Sequence, residues 1–358
     1  MRLTRYSARL VAASRLAFSM VVCALLLAVI DTADAASEKI TVLNSRILRN
    51  GIPWVPKGVV IVGLVAPAAQ ISGAYADARK QFGAAELKSV ADYGADLIRF
   101  QVSQGGADPK SPIYSAAYVQ EVVRGVQLAR SHGFVVIVSI QSGKPSGGND
   151  PNGLPGDSTR RAWHDLAPLF SSDDGIMFEL FNEPSRQRGA GPGAPDPTWA
   201  DWRNAHQMLI DEIRSDGAHN AIIADGLEWA HTLQGVPILS DPDSDLIYAV
   251  HPYPHRGYLS SADWDEAFGI FAGTHPVLAT EWNARAAKRC DPNFPAIAAE
   301  FLAYAKVHNI GVVGWAFDLP DTLFDSTGSP TNYRNFSCQM TGPSGIGELL
   351  HSSFLQNR

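Results

Sequence analysis

The feature that most constrains this chain is a recurrence. Short runs rich in Val, Ile, Leu and Phe return about every 25 to 45 residues, the spacing of strands that alternate with helices. Eight such runs stand out: Val59 to Leu64, Leu97 to Val102, Phe134 to Ile140, Ile176 to Phe181, Ala221 to Ala224, Leu246 to Val250, Pro276 to Thr280 and Gly311 to Phe317. Most are apolar nearly throughout, as strands covered on both faces must be. Amphipathic segments separate them. In Ser115 to His132, Tyr118, Val122, Val126 and Ala129 share one helical face, and Gly133 ends the pattern. Pro197 to Asp216 turns Trp202, Met208, Leu209 and Ile213 inward, with Asp196 placed to cap its start.

Eight strand and helix units predict a single (β/α)8 TIM barrel over residues 36–358. A doubly wound open sheet would carry a glycine-rich phosphate turn after an early strand. The one candidate here, Gly189 to Gly193, contains Pro192 and follows the fourth run. The barrel makes a functional prediction, because its reactive residues stand at the C-terminal ends of the strands.

Residues 1–35 read as an address. Arg2, Arg5, Arg9 and Arg15 accompany an apolar run from Leu16 to Ile30, and Ala33-Asp34-Ala35 supplies a cleavage site, so a signal peptide removed near Ala35 and a secreted or periplasmic product are expected. The apolar run is shorter than the roughly 20 residues of a spanning helix, which argues against stable membrane insertion. Cleavage removes four Arg and two Asp and takes the formal charge from -7 to -9. With no run of five like charges, a nucleic-acid partner is excluded. Cys23 leaves with the signal. The remaining pair, Cys290 and Cys338, reads in an exported chain as one disulfide, which contributes on the order of 4 kcal/mol in the chain-entropy model.

Two glutamates occupy strand ends three apart in the ring. Glu183 lies in Phe178-Glu179-Leu180-Phe181-Asn182-Glu183-Pro184 after the fourth run, and Glu281 in Thr280-Glu281-Trp282-Asn283 after the seventh. Facing carboxylates roughly 5 to 5.5 Å apart are what a retaining glycosidase needs, one as nucleophile and the other as acid then base. The other ends add Arg99, Gln141, His251, Tyr253 and Trp315: a cation and a phenol to hold a nucleophile ionised, and an aromatic plane for a sugar ring. Arg99 can also serve as partner of an inward-pointing Glu179. His251 and His255 are four apart, but Pro252 and Pro254 rule out the helix that would make them a metal pair, and no G-x-S-x-G turn occurs. No cofactor is expected.

The set Asn182-Glu183-Pro184, His251-Pro252-Tyr253, Glu281 and Trp315, with Arg99 upstream and Asn50-Gly51 leading into Lys57-Gly58-Val59, resembles glycoside hydrolase family 5, the cellulase-type family. The resemblance implies a retaining double displacement with Glu183 as acid/base and Glu281 as nucleophile. It further implies Asn182 on the sugar 2-hydroxyl, Tyr253 and Arg99 on the nucleophile, His251 near the acid/base and Trp315 as a platform. One position departs from the family pattern, Gln141 standing about where a histidine is common. Glutamine cannot carry a proton charge near pH 7, so sugar recognition is altered more than carboxylate chemistry.

The expected function is therefore that of a monomeric, endo-β-1,4-glucanase-like hydrolase whose partner is a β-linked oligo- or polysaccharide. Its Glu183 is expected to be protonated at rest and its Glu281 ionised. The same chemistry on mannan or another β-glycan, and transglycosylation, remain alternatives. A silent carbohydrate-binding barrel would have lost one carboxylate. The Gly/Pro-rich loops Ser142 to Asp157 and Pro184 to Pro197 are expected to shape the groove.

Overall fold

The structure is a computed structural model describing residues 38–78, 83–143, 146, 153–186, 195–283, 293–319, 322–323 and 346–356. The signal segment, Cys290 and Cys338 lie outside the described residues, as does much of both Gly/Pro-rich loops.

The chain opens with antiparallel strands β1 (Ile40–Leu43), β2 (Arg46–Arg49) and β3 (Ile52–Pro53). Asn50 and Gly51, both at positive φ (54° and 77°), make the two-residue turn between β2 and β3. This small sheet covers the N-terminal end of the larger one. Ile40 N–H donates to Asp174 just before one barrel strand, Val42 N–H to Asp245 just before another, and Trp54 Nε1 to Asp96 before a third.

Eight strands then close into a parallel barrel: β4 (Lys57–Ile61), β5 (Leu97–Ser103), β6 (Val135–Gln141), β7 (Ile176–Glu179), β8 (Ile222–Asp225), β9 (Leu246–Ala249), β10 (Val277–Trp282) and β11 (Gly311–Gly314). Each overlaps one of the eight apolar runs, several reaching one or two residues beyond it. The period of two is strict. Ile98, Phe100 and Val102 face the helices, whereas Leu97, Arg99, Gln101 and Ser103 alternate with them and point inward. Leu97, Val135, Ile137, Met177, Ile223, Ile247, Leu278 and Val313 fill the lower interior. Gly58 is needed in this layer, because a Cβ there would meet Leu97 Cδ2 at 2.5 Å. Above it the inward positions turn polar.

The helix Ala116–Ser131 buries Tyr118, Val122, Val126 and Ala129 as its periodicity predicts. The helix Trp199–Ser215 buries Trp202, Leu209 and Ile213, with Met208 half-buried. Its cap differs from expectation. Thr198, not Asp196, accepts the Asp201 N–H, and the Asp201 carboxylate accepts the Thr198 N–H, so the helix starts two residues later than expected.

One irregularity sits at a functional position. Ala279 pairs with Val312 and Trp282 with Gly314, so β10 advances three residues against two on β11. This bulge spans Thr280 and Glu281 and lets consecutive side chains both face the barrel mouth.

Asp318, just beyond β11, accepts N–H groups from Val62 (3.0 Å) and Gly63 (2.8 Å), tying the last strand to the first. Burial outweighs those bonds and pushes its carboxyl up to about 7. A native acid raised in this way binds more protons than the unfolded chain between about pH 4 and 7, so its stabilising contribution is complete at low pH and lost as pH rises through 7. Asp318→Asn removes the titration. Thermal melts should therefore show the native protein losing stability relative to Asp318→Asn from pH 4 to 7, and parallel curves would contradict the assignment.

Candidate active site

The site is built around a cation that the alternation of β5 turns inward. Arg99 is fully buried and grips Glu179 with two nitrogens, Nε to Oε2 at 2.5 Å and Nη2 to Oε1 at 3.1 Å. Its Nη1 donates to Glu281 Oε2 at 2.9 Å, and Nη2 also reaches Asn182 Oδ1 (2.6 Å) and Ser139 Oγ (3.0 Å). Burial disfavours the charge of Arg99, but the two carboxylates more than reverse this. Burial would likewise raise the Glu179 carboxyl, yet Arg99 holds it down at about 2.

Glu281 receives three donors: Arg99 Nη1, Gln101 Nε2 at 2.9 Å on the same oxygen, and the Tyr253 hydroxyl at 2.8 Å on Oε1. Burial and the Glu281 charge push the Tyr253 phenol well up, so it stays protonated and donates to the Glu281 carboxylate. Glu183 stands across from it at φ 56°, its side chain 26% exposed. Its Oε1 meets His251 Nδ1 at 3.1 Å, and its backbone N–H donates to Asp225 Oδ2 at 2.9 Å. Oxygens of Glu183 and Glu281 and a nitrogen of His251 all lie within 4.8 Å of one another.

The shifts of the two glutamates run opposite to the expected order. Burial pushes Glu281 up and the Glu183 charge adds to it, against the pull of His251, Arg99 and the Tyr253 hydrogen bond. Glu183 is held below the usual carboxylate range, the hydrogen bond and charge of His251 outweighing burial. Asp225 is pushed well above that range, first by burial and then by the Glu179 charge. Its Oδ1 has no hydrogen-bond partner among the described residues.

These contacts bring Arg99, Asn182, Glu183, His251, Tyr253 and Glu281 together, while Gln141 and Trp315 stand at the ends of β6 and β11. Asn182 is buried, its N–H on Ile140. Gln141 ends β6 with Oε1 buried and without a hydrogen-bond partner. Trp315 is half-exposed and accepts Asn283 Nδ2 on its carbonyl. His251 and Tyr253 follow β9 in extended backbone ahead of a 3-10 turn, Pro254–Arg256, as the prolines require. At the mouth the residues whose oxygens could hold a cation are these same carboxylates, but both Glu281 oxygens already take N–H or O–H donors that a metal would have to displace.

The family model for cellulases, glycosyl hydrolase family 5, matches residues 70–319. The chain belongs to this family. Relatives at low identity include endoglucanase C of Evansella cellulosilytica (22% over 252 residues, 63% of this chain and 30% of that one). A cellulase of Thermoanaerobacterium sp is 26% identical over 245 residues, 63% of this chain and 58% of its own. The chain thus spans between about a third and three fifths of these two relatives. A mannan endo-1,4-beta-mannosidase of Streptomyces lividans is 22% identical over 296 residues, 80% of this chain and 67% of that one. Among solved structures, a beta-glucanase from Saccharophagus degradans superposes with TM-score 0.64 at 20% identity, over 90% of this chain and 94% of that one. That likeness carries the fold.

Four participants in this family 5 site escape a motif reading. Gln101 lies two steps from Arg99 on β5, and the period of two alone would have pointed it inward. Thr280 faces inward through the β10 bulge. Asp225 ends β8, the one acidic strand end that the sequence reading passed over. Tyr75, in the short helix Ala74–Ala78, is pushed up to about 12 by burial and by the Glu281 and Glu183 charges, which places it at the mouth. Glu179, read as the partner of Arg99, fills that role while Arg99 serves Glu281 as well.

Removing Arg99 strands two buried carboxylates. Arg99→Met should cost about 3 to 5 kcal/mol in urea unfolding, and adding Glu179→Gln should recover part of it. Strict additivity of the two changes would show that the pair is not coupled.

Proposed function

We propose that this family 5 protein is a retaining β-glycoside hydrolase of the endo-β-1,4-glucanase type. The observation that carries this is the approach of Glu183 and Glu281, with oxygens inside 4.8 Å. Such a gap suits attack by one carboxylate on a sugar carbon and leaves no room for the water that an inverting pair must hold.

In this reading Glu281 is the nucleophile. Three donors fix both of its oxygens, so one lone pair is aimed while the other oxygen stays anchored. Glu183 is the acid, then the base. As the Glu281 oxygen bonds to the anomeric carbon, the bond to the leaving oxygen breaks and that oxygen takes a proton from Glu183. Water then gives its proton to Glu183 and its oxygen to the anomeric carbon, releasing Glu281 with the original configuration. Asn182, oriented by Arg99, presents its amide to the 2-hydroxyl, Trp315 offers a stacking face, and the unpartnered Gln141 oxygen accepts a sugar hydroxyl.

A mannan-directed version of the same chemistry is the second reading, favoured by the mannosidase similarity over 80% of the chain and by Gln141. Export with removal of residues 1–35 accords with the leader pattern, and among the described residues no helix is long and apolar enough to cross a membrane. Residues 36–358 act as the catalytic domain.

The test is a panel of β-1,4-glucan, mixed-linkage glucan, mannan and xylan, with Glu281→Ala as the blank. Hydrolysis should be greatest on a glucan and fall by at least about a thousandfold in Glu281→Ala. Proton NMR should show the β anomer forming first, and initial release of the α anomer would refute the double displacement.

A further inference from the structure

A hydrogen-bond chain beneath the acid/base fixes where its proton sits. His251 is fully buried, with Nδ1 on Glu183 Oε1 (3.1 Å) and Nε2 on Thr280 Oγ1 (3.0 Å). The Thr280 hydroxyl in turn lies 2.8 Å from Glu179 Oε1. Glu179, held at about 2 by Arg99, is a carboxylate at every working pH and can only accept. Thr280 therefore donates its single proton to Glu179. Only lone pairs of its oxygen then face His251, so Nε2 must carry a hydrogen.

That choice determines the other nitrogen. With Nε2–H fixed, a neutral His251 presents a bare Nδ1, which requires a protonated Glu183 as donor, and a charged His251 donates from Nδ1 to a Glu183 carboxylate. Both states place one proton on the line between Nδ1 and Glu183 Oε1. It is the proton an acid catalyst needs, and it accounts for the depressed Glu183 without removing its acid function. Had the ring taken the opposite tautomer, Nδ1–H would hold Glu183 as a carboxylate with no proton to give.

We propose that Thr280 is a positioning residue for acid catalysis, fixing the His251 tautomer so that the leaving-group proton is held at Glu183. The proposal deepens the hydrolase reading above and rests on it for the identity of the acid. Thr280 can play this part because the β10 bulge turns both it and Glu281 inward. The other charged or titratable groups facing the ring do not replace it. Asp225 Oδ2 lies 3.6 Å from Nε2 and Glu179 Oε1 4.0 Å, both beyond hydrogen-bond reach, while His231, Glu281 and Arg99 act on the cluster through their fields.

The experiment compares the native protein with Thr280→Val and Thr280→Ser on cellotetraose, whose leaving group needs a proton, and on 2,4-dinitrophenyl β-cellobioside, whose leaving group does not. Thr280→Val should lose about tenfold to a hundredfold in kcat/KM on cellotetraose, with at least tenfold less loss on the dinitrophenyl substrate. Thr280→Ser should restore both. Equal losses on the two substrates, or no rescue by serine, would overturn the proposal. Nitrogen-15 NMR of the His251 ring, which needs no substrate, separates failure of the relay from failure of the hydrolase reading. Native protein with Nε2 protonated but no activity on either glycoside would sink the function alone, whereas a neutral ring protonated at Nδ1 would sink the relay whatever the activity.

Discussion

The site depends on one buried cation serving two carboxylates. Arg99 commits its fork to Glu179 and one remaining nitrogen to Glu281, all inside the barrel where an unpaired charge would be prohibitive. One positive charge cannot fully neutralise two anions. The structure meets the deficit with neutral donors, Gln101 and Tyr253 on Glu281 and Thr280 on Glu179. A carboxylate held this way is anchored yet remains unpaired enough to react. A second arginine in place of Gln101 would neutralise it and blunt its attack.

The geometry that permits this follows from two backbone rules acting together. The period of two aligns Arg99, Gln101 and Ser103 on one interior line of β5 and places Ser139 beside Glu179 in the register of β6 with β7. The β10 bulge then breaks the period once, at Thr280 and Glu281. Without it, the nucleophile and the residue that orients His251 would fall on opposite faces of the strand, and one of them would be lost among the helices.

This division explains how much of the molecule was legible in the sequence. The eight barrel strands were legible because each is covered on both faces and so reads as an apolar run. The carboxylates, His251 and Tyr253 were legible because strand ends in this architecture project into one mouth. Thr280 was hidden, since a bulge leaves no mark in a Thr-Glu dipeptide and regular alternation would turn Thr280 away from Glu281. Gln101 was hidden for a weaker reason: its neighbours Phe100 and Val102 make the run look uniformly buried, and the inward line had been drawn only as far as Arg99. The hairpin cap at the barrel floor was not read: Asn50-Gly51 served only as the approach to the first barrel strand, although its paired left-handed conformations make the two-residue turn.

The strained backbone at Glu183 completes the account. A glutamate at φ 56° occupies the left-handed region at a cost of about 1 to 3 kcal/mol and persists only where its surroundings fix it. Here they do so from two sides. Asp225 takes the Glu183 N–H, and Pro184, the next residue, accepts the N–H of Trp229 from a turn in which Glu228, Trp229 and Ala230 are all left-handed. Arg256 lies 4.6 Å over the Trp229 ring and packs that turn down. The acid/base is thus aimed by β8 and its following turn rather than by its own strand, which ends four residues earlier at Glu179. Burial and the Glu179 charge push the Asp225 carboxyl up, so the acceptor that holds the Glu183 amide adds less negative charge beside Glu179.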